Sequence, residues 1–246
     1  MSRYKSLKIF DYSVFISSLE ELDVKSKCVI NTLNQYSFMV AENDHFFKES
    51  LLESDVLIPD GIGIVAAARL LQGIKIKKIA GSDIHSHLLK KTEASGGKVF
   101  YLGSDENTLT VIQNRLAIEY RSLKMAFYSP PFTSEFSKSD SAVMVKAINT
   151  FRPDILFVGM TAPKQEKWVY EHKDELNAVV ICSIGAVFDF YAETVKRPGQ
   201  IWIDLGLEWF IRLLQEPRHT WKRYLYYGPG FVFTILKRKL TQRDID

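Results

Sequence analysis

Short apolar runs alternate with segments of helical periodicity along most of this chain, and this alternation constrains the fold more than any other feature. The apolar runs predict strands at residues 27–31, 55–59, 98–102, 124–128, 154–158 and 178–184. Between them, helical spacing predicts helices that include residues 64–71, 108–120 and 141–150. Strands that alternate with helices predict an α/β fold, in which a mostly parallel sheet is covered by helices on both faces.

Polar residues and glycines fall just past the predicted strands. Because parallel strands end at the same edge of a sheet, these residues are expected to lie close together, at the edge where α/β folds bind ligands. Glycines there let a ligand approach the backbone closely. The residues concerned are Thr32, Asn34, Asp60, Gly103, Gly159 and Gly185. This edge is the candidate site.

Asp60 ends the apolar run 56–59 and precedes two glycines, Gly61 and Gly63, and a predicted helix. A carboxylate at this position is suited to act as a general base or to bind a ligand hydroxyl. It is equally suited to cap the helix that follows, since Asp is a favoured N-cap residue. Position in the sequence leaves both interpretations open.

Composition places the chain among ordinary globular proteins, with 46% hydrophobic and 25% charged residues. Cys28 and Cys182 both lie in apolar runs, which predicts two buried thiols in a reducing compartment and no disulfide. The first residues lead into no signal-peptide pattern. No stretch supplies the roughly 20 apolar residues of a spanning helix. These features predict a cytosolic protein that is able to bind a membrane surface.

The C-terminal segment differs from the rest of the chain. Residues 196–246 carry a net charge of +5, whereas the first 195 residues carry −2. Three of the four tryptophans also lie there, and residues 205–214 have amphipathic helical spacing. We therefore predict an α/β domain at residues 1–198 and a basic, aromatic-rich helical appendage at residues 199–246 that binds anionic lipid. The alternative is a pair of C-terminal helices packed on the sheet.

Three weaker patterns are typical of other chemistry. The segment 61–66 fits the dinucleotide fingerprint G-x-G-x-x-A, and Asp83 stands at a suitable distance, but the segment follows the second strand instead of the first. His85 and His87 are two apart and so do not share a helix face, which favours a polar helix surface over a metal pair. A D-x-D pattern occurs only at residues 244–246, where a chain end makes a poor metal site.

The segment 159–168 combines a strand end, a turn and a helix that Pro163 is expected to open. Free backbone N–H groups at such a helix start suit a phosphate. Gln165 in the first turn offers both a donor and an acceptor to a sugar. Glu166, beside it, is suited either to a ligand or simply to the positive end of the helix dipole.

Several ordered motifs together resemble the WecG/TagA/CpsF glycosyltransferases over residues 27–225. They are Thr32-x-Asn34, Asp60-Gly61-x-Gly63, Ala80-Gly81-Ser82-Asp83, Pro163-x-Gln165-Glu166, Gly185-Ala186-x-Phe188-Asp189, Arg197-Pro198, Glu208-Trp209-x-x-Arg212, Pro217-Arg218 and Arg223-Tyr224. The resemblance implies a Rossmann-like domain that transfers a sugar, of the N-acetylmannosamine type or related, from a UDP donor with inversion and without a metal or other cofactor. The implied acceptor is a polyprenyl-diphosphate-linked sugar at the cytoplasmic membrane face, in cell-surface polysaccharide synthesis.

The resemblance also implies roles for individual residues. Asp60 would deprotonate the acceptor hydroxyl, and Thr32, Asn34 and Gln165 would line the sugar pocket. Asp189 and the turns at Gly61, Gly103 and Gly185 would lie near the nucleotide. Arg212, Arg218 and Arg223 would hold the lipid diphosphate and close the site. Nucleic acid is not an implied partner, while self-association is compatible with the family.

Three positions depart from the family pattern. Lys78 stands where arginine is usual, Thr161 where glycine is common, and no alanine separates Arg197 from Pro198. These departures affect the identity of the donor more than the type of reaction. The alternatives in other classes are a nicotinamide oxidoreductase that uses the Gly61 turn, and a non-enzymatic basic adaptor that binds lipid or nucleic acid through its C-terminal segment.

Overall fold

The structure, a computed structural model, describes residues 4–24, 26–196, 198–199, 201–202 and 206–243. Arg197 of the Arg197-Pro198 motif and the D-x-D pattern at 244–246 lie outside these residues. The described residues form one eight-stranded sheet in the order β1-β2-β4-β3-β8-β7-β5-β6. Its strands are β1 (Ser6–Ile9), β2 (Tyr12–Phe15), β3 (Cys28–Leu33), β4 (Val56–Pro59), β5 (Lys98–Gly103), β6 (Lys124–Tyr128), β7 (Ile155–Gly159) and β8 (Val180–Ser183).

The sheet is parallel except for the β1–β2 pair, and helices cover it on both faces. The helices are α1 (Gln35–Ala41), α2 (His45–Leu52), α3 (Ile62–Gln72), α4 (Gly81–Glu93), α5 (Glu106–Glu119), α6 (Lys138–Phe151), α7 (Lys164–His172), α8 (Val187–Tyr191), α9 (Glu208–Gln215), α10 (Pro217–Trp221) and α11 (Tyr227–Arg243). A π-helical segment, Lys222–Tyr226, joins α10 to α11. The predicted α/β fold with a mostly parallel sheet is therefore confirmed.

The sequence did not predict β1 and β2. Both strands are four residues long, and β1 buries only Ile9 fully, so neither forms a continuous apolar run. The turn between them places Phe10 at a φ of 54°, in the left-handed region. The pair extends the sheet beyond β4 with antiparallel geometry at its edge.

Alternate residues of the central strands pack on opposite faces of the sheet. Tyr101 of β5 faces a cluster with α4 and α5, whereas its neighbour Phe100 faces a cluster with α6 and α7. This arrangement is the one that a doubly covered parallel sheet requires. A third cluster lies under α1, α2 and α3 and includes Leu33 and Leu57.

The last helix, α11, contributes to that third cluster. Phe231 and Ile235 are 2% and 3% exposed, and the Phe231 ring meets Phe38 of α1 edge-on at 5.2 Å. Part of the predicted C-terminal appendage thus completes the core beside α1 and α3. The domain division at residue 198 stays a prediction.

Two sequence predictions concern polar and sulfur groups that the structure places in the core. Cys28 and Cys182 are both buried, and neither forms a disulfide within the described residues, as predicted. His85 is buried as well, with Nε2 2.7 Å from Tyr101 Oη, so the expectation that it lies on a polar helix surface was wrong. Burial, and secondarily the charge of Arg115, lowers the pKa of His85 to about 3. Within the described part of the chain, no group of three His, Cys, Asp or Glu side chains is arranged to hold a metal.

Candidate active site

A cavity of about 930 Å³ opens at the carboxyl edge of the sheet, where the sequence predicted a site. Its lining comes from the loops after the parallel strands and from the C-terminal helices. The predicted site residues that line it are Thr32, Asn34, Asp60, Gly61, Gln165, Gly185, Asp189, Arg212 and Arg223. A smaller cavity of about 350 Å³ lies at the opposite edge, near the starts of β3 and β4, and none of these residues lines it.

Two predicted site residues lie apart from the cavity lining. Gly103 is buried at the end of β5 with a φ of 120°, and a side-chain carbon there would lie 2.3 Å from the Gly159 carbonyl oxygen. Glycine at this position therefore allows β5 and β7 to end side by side, while Ser104 and Asp105 after it line the cavity. Arg218 is exposed on α10, outside the lining.

Asp60 directly follows β4, and its backbone N–H donates to the Leu33 carbonyl at 2.9 Å, which fixes its position beside the end of β3. The N-cap of α3 is Gly61, with a φ of 110°, and no side chain caps that helix. The interpretation of Asp60 as a helix cap was therefore wrong. No residue in the described ranges hydrogen-bonds to its carboxyl group, and Asp60 is part of the cavity lining.

The electrostatic surroundings of Asp60 raise its pKa to about 6. Burial is the largest cause, because it disfavours the charged carboxylate. Lys78 opposes this effect, Glu208 adds to it, and Arg223 and Arg212 oppose it more weakly. The outcome is a carboxylate that is ionised at neutral pH yet more basic than an ordinary aspartate, as a general base requires.

Lys78 and Glu208, which both line this cavity, form an ion pair with Nζ 2.7 Å from Oε2. Lys78 lies in the loop before α4, and Glu208 begins α9, so the pair joins the α/β domain to the C-terminal helices. Both side chains are mostly shielded from solvent. Lys78 thus brings to Asp60 a compact charge in place of the guanidinium expected from the family pattern.

The end of β3 and the turn after it contribute Thr32 and Asn34 to the cavity. Asn34 is the N-cap of α1, where its Oδ1 accepts the N–H groups of Tyr36 and Ser37, each at 3.0 Å. Its amide nitrogen makes no hydrogen bond with any described residue. Asn34 therefore has one group that shapes the helix start and one that is able to meet a ligand.

Gln165 and Glu166 lie in the first turn of α7, which begins one residue after Pro163. Gln165 Oε1 accepts the Met160 N–H at 3.1 Å, and Gln165 Nε2 donates to Glu166 Oε1 at 2.8 Å. Gln165 thus orders the loop after β7 and orients Glu166. Burial raises the pKa of Glu166 to about 7, although hydrogen bonds from Gln165 and the backbone and the charge of Arg223 oppose that shift.

Asp189 lies in the first turn of α8 on the side of the cavity that Asp105 also lines. Burial raises its pKa, and the charges of Glu216 and Asp105 add to that effect, while Arg212 opposes it. The predicted nucleotide-side residue is therefore within the electrostatic reach of an arginine from α9.

Arg212 and Arg223 present guanidinium groups to the cavity from the C-terminal helices. The Arg212 guanidinium lies 5.0 Å from the Phe190 ring centroid, and that of Arg223 lies 4.7 Å from the Tyr36 ring. Arg212 Nε is buried and has no hydrogen-bond partner in the described part of the chain. Aromatic faces hold both cations while leaving N–H groups for an anion. Arg223 lies in the π-helical segment, a feature often found at functional sites.

Sequence reasoning missed several lining residues. Gln35 follows Asn34, and its buried Oε1 has no hydrogen-bond partner among the described residues. A side-chain carbon at Gly61 or Gly63 would lie 3.1 Å from that oxygen, so the two glycines make room for Gln35. In the sequence, only Gly61 and Gly63 indicated that another side chain lies close to this turn, and glycines do not show that this side chain is Gln35. Asp83, the acidic residue of the dinucleotide alternative, is exposed, and its Oδ2 accepts the Ala80 N–H at the start of α4.

Comparison with known sequences places this chain among sugar-transferring proteins. A sequence model of the glycosyl transferase WecG/TagA/CpsF family matches residues 6–245. A relative from Bacillus subtilis strain 168 is 31% identical over 231 residues, which cover 93% of this chain and 88% of the relative. Relatives from Bacillus spizizenii and Staphylococcus aureus strain MW2 are 29% and 28% identical over 92% and 85% of this chain, and 86% and 80% of their own lengths. All three are named N-acetylglucosaminyldiphosphoundecaprenol N-acetyl-beta-D-mannosaminyltransferase.

Proposed function

The chain belongs to the WecG/TagA/CpsF family of glycosyltransferases, and on that premise we propose that it transfers an N-acetylmannosamine-type sugar from a UDP donor to a polyprenyl-diphosphate-linked N-acetylglucosamine. The product would serve cell-surface polysaccharide synthesis. One observation carries the proposal: the Asp60 carboxylate and the Arg212 guanidinium, whose buried Nε has no hydrogen-bond partner among the described residues, line the same cavity. Together they supply a base for a hydroxyl and a cation for a diphosphate.

In the proposed reaction, Asp60 removes the proton from the acceptor hydroxyl. The acceptor oxygen then forms a bond to the anomeric carbon of the donor sugar as the bond from that carbon to the UDP oxygen breaks. UDP leaves with the electron pair of the broken bond. Because the displacement is direct, the configuration at the anomeric carbon inverts. A base with a pKa of about 6 is ionised at neutral pH and well matched to this task.

The departing diphosphate carries negative charge that the site has to stabilise. Arg212 and Arg223 are positioned to do so through charge-assisted hydrogen bonds, and the N-terminal turns of α4 and α7 face the same cavity. We propose that these groups supply the stabilisation without a metal ion. The predicted diphosphate role of Arg218 requires that α10 move, because its side chain is exposed outside the cavity in this structure.

The C-terminal helices also offer a surface for the membrane that carries the acceptor. None of the helices in the described ranges has the length and apolarity needed to cross a bilayer. On α11, the exposed side chains Phe233, Leu236 and Leu240 lie on the side away from the buried Phe231 and Ile235, and the exposed Val232 lies at the border of that side. Lys237 and Lys239 flank this stripe. We propose that the stripe enters the interface at the cytoplasmic face while the basic residues meet anionic lipid.

The test is a transfer assay with a panel of UDP-sugars and a short-chain polyprenyl-diphosphate-N-acetylglucosamine, carried out with EDTA present. The expected result is acceptor-dependent release of UDP from one donor, with a lipid product heavier by one sugar residue. Donor hydrolysis that does not depend on the acceptor, or transfer that EDTA abolishes, would contradict the proposal in its substrate or in its metal independence.

A further inference from the structure

Glu166 is a buried carboxyl group in the cavity to which the proposed reaction assigns no task. The side chain is 2% exposed, and it lines the cavity from the first turn of α7. A buried carboxyl group is costly unless it is hydrogen-bonded or paired. Among the ion pairs of the described residues, however, none involves Glu166.

The orientation of Glu166 is set by its neighbour. The Met160 N–H holds Gln165 Oε1, and Gln165 Nε2 in turn donates to Glu166 Oε1. This chain of hydrogen bonds leaves Glu166 Oε2, which is buried and has no partner in the described part of the chain. Gln165 thus has one protein partner on each polar atom, whereas Glu166 Oε2 has none among the described residues, which makes Glu166 a further candidate for contact with the sugar.

The environment of Glu166 favours its neutral form. Burial raises its pKa to about 7, and the charged or titratable groups that act on it from other elements are Arg223 in the π-helical segment and Tyr36 on α1. When Glu166 is protonated, Oε1 accepts from Gln165, so the proton is on Oε2. Oε2–H is then a buried hydrogen-bond donor without an acceptor.

We propose that Glu166 Oε2–H donates a hydrogen bond to the acetamido carbonyl of the donor sugar and thereby selects an N-acetylated sugar over one with a hydroxyl at the same carbon. The inference rests on the proposed function, and it adds a specificity-determining residue to it. A neutral carboxyl donor suits an uncharged carbonyl oxygen, whereas a phosphate would be repelled once the group ionised. A site with a buried group reserved for one substrate function rejects analogues that leave that group unpaired.

The test measures binding by calorimetry, without requiring turnover. The ligands are UDP-N-acetylmannosamine, its 2-hydroxyl counterpart UDP-mannose, and UDP. The proteins are the wild type, Glu166→Gln, Glu166→Leu, and a control, Glu171→Leu, at an exposed position of the same helix. The quantity compared is the ratio of the two nucleotide-sugar affinities, which cancels the contribution of the arginines to binding the shared nucleotide.

The wild type and Glu171→Leu are expected to prefer the acetamido ligand. Glu166→Leu should reduce that preference about tenfold, the effect of one buried hydrogen bond, with UDP affinity unchanged. In the wild type the preference should fall as the pH rises through about 7, because the ionised carboxylate no longer donates. Glu166→Gln cannot ionise and should keep a preference that does not change with pH.

Two results would overturn the inference while leaving the proposed function intact: an undiminished preference in Glu166→Leu, or the same fall with pH in Glu166→Gln as in the wild type. The Glu166→Gln series provides the answer if Glu166→Leu does not fold. A wild type that binds both sugars equally would also overturn it. A wild type that binds neither nucleotide sugar nor UDP would overturn the proposed function and this inference together.

Discussion

The pKa of Asp60 depends on a lysine and a glutamate that also form an ion pair with each other. Lys78 lowers its pKa and Glu208 raises it, and the two side chains meet at 2.7 Å. The pair therefore connects the basicity of Asp60 to the position of α9. If α9 withdrew from the domain, Asp60 would lose the influence of Glu208 and of Arg212 in the same movement.

Substitutions of Lys78 and of Glu208 should shift the pH dependence of catalysis in opposite directions. In the wild type, kcat/KM should fall as the pH drops through about 6, because protonated Asp60 cannot act as a base. Lys78→Met removes a neighbouring positive charge, so the acid limb should move to higher pH. Glu208→Gln removes a negative charge, so the limb should move to lower pH. A profile unchanged in both variants would contradict the assignment of Asp60 as the base.

The raised pKa of Glu166 leads to a separate prediction about the free energy of unfolding. Its pKa is about 7 in the folded protein, against an ordinary value of 4.5, so the folded state binds its proton more tightly than the unfolded state. The free energy of unfolding of the wild type should therefore decrease as the pH rises from about 4.5 to 7. Glu166→Gln removes this loss and should be more stable than the wild type by up to about 3 kcal/mol at pH 8. Urea unfolding at pH 5 and pH 8 measures the difference, and a stability difference that is equal at the two pH values would show that Glu166 does not titrate in this range.

Among single residues, Asp60 could be predicted as a site residue from the sequence, because the order of residues shows a carboxylate at the end of an apolar strand. It could not assign the partners of Gln165 or the burial of Glu166, since both depend on how the loop after β7 folds onto α7. Gly103 illustrates the opposite case. Its position at a strand end suggested ligand contact, whereas its conformation serves the close approach of Gly159.

Among the elements, α11 combines two tasks on opposite faces. Phe231 and Ile235 are buried against α1 and α3, whereas Phe233 and Leu236 are 69% and 53% exposed. Removing the segment after residue 198 would therefore open the core as well as remove the proposed membrane surface. Point substitutions separate the two tasks more cleanly.

The buried face should affect stability and the exposed face should not. Phe231→Ala is expected to lower the free energy of unfolding by about 3–5 kcal/mol, because it leaves a cavity beside Phe38. Phe233→Ala, two residues away, should change it by less than about 0.5 kcal/mol. Denaturant unfolding of the two variants measures the contrast, and equal losses would mean that α11 does not pack as described.

The exposed face should in turn govern membrane binding. Phe233→Glu combined with Leu236→Glu should reduce binding to anionic phosphatidylglycerol vesicles by tenfold or more, since each apolar side chain contributes roughly 1.5–3 kcal/mol when buried in the interface. Ile118→Glu is the matched control, because Ile118 is 73% exposed on α5, away from the C-terminal helices. Vesicle flotation compares them. Equal binding by the double variant and the control would remove α11 as the membrane surface.

Across the whole molecule, the sequence predicted the class of fold but not the assembly of the site. Six of the eight strands were visible as apolar runs, and their alternation with helices required a parallel sheet. The order of strands in the sheet and the β1–β2 pair depend on contacts between distant residues that no local pattern encodes. The same is true of the Lys78–Glu208 pair, whose members are 130 residues apart.

For the proposed function, the consequence is that one cavity would draw its base from the loop after β4 and its cations from the C-terminal helices. Asp60 follows β4, whereas Arg212 and Arg223 lie on helices beyond residue 206. Such a site is complete only when the C-terminal helices are docked on the domain. Under the proposed function, docking of these helices would couple sugar transfer to contact with the lipid-linked acceptor.

The most direct test of Asp60 as the base of sugar transfer compares Asp60→Asn with the wild type in sugar transfer and in donor binding. Asparagine keeps the size of the side chain but cannot accept the proton, so transfer should fall by at least about a hundredfold. The affinity for the UDP-sugar should stay within a few fold of the wild type. Transfer at a near-normal rate would contradict the assignment of Asp60 as the base, because its carboxylate would then have no part in the chemistry.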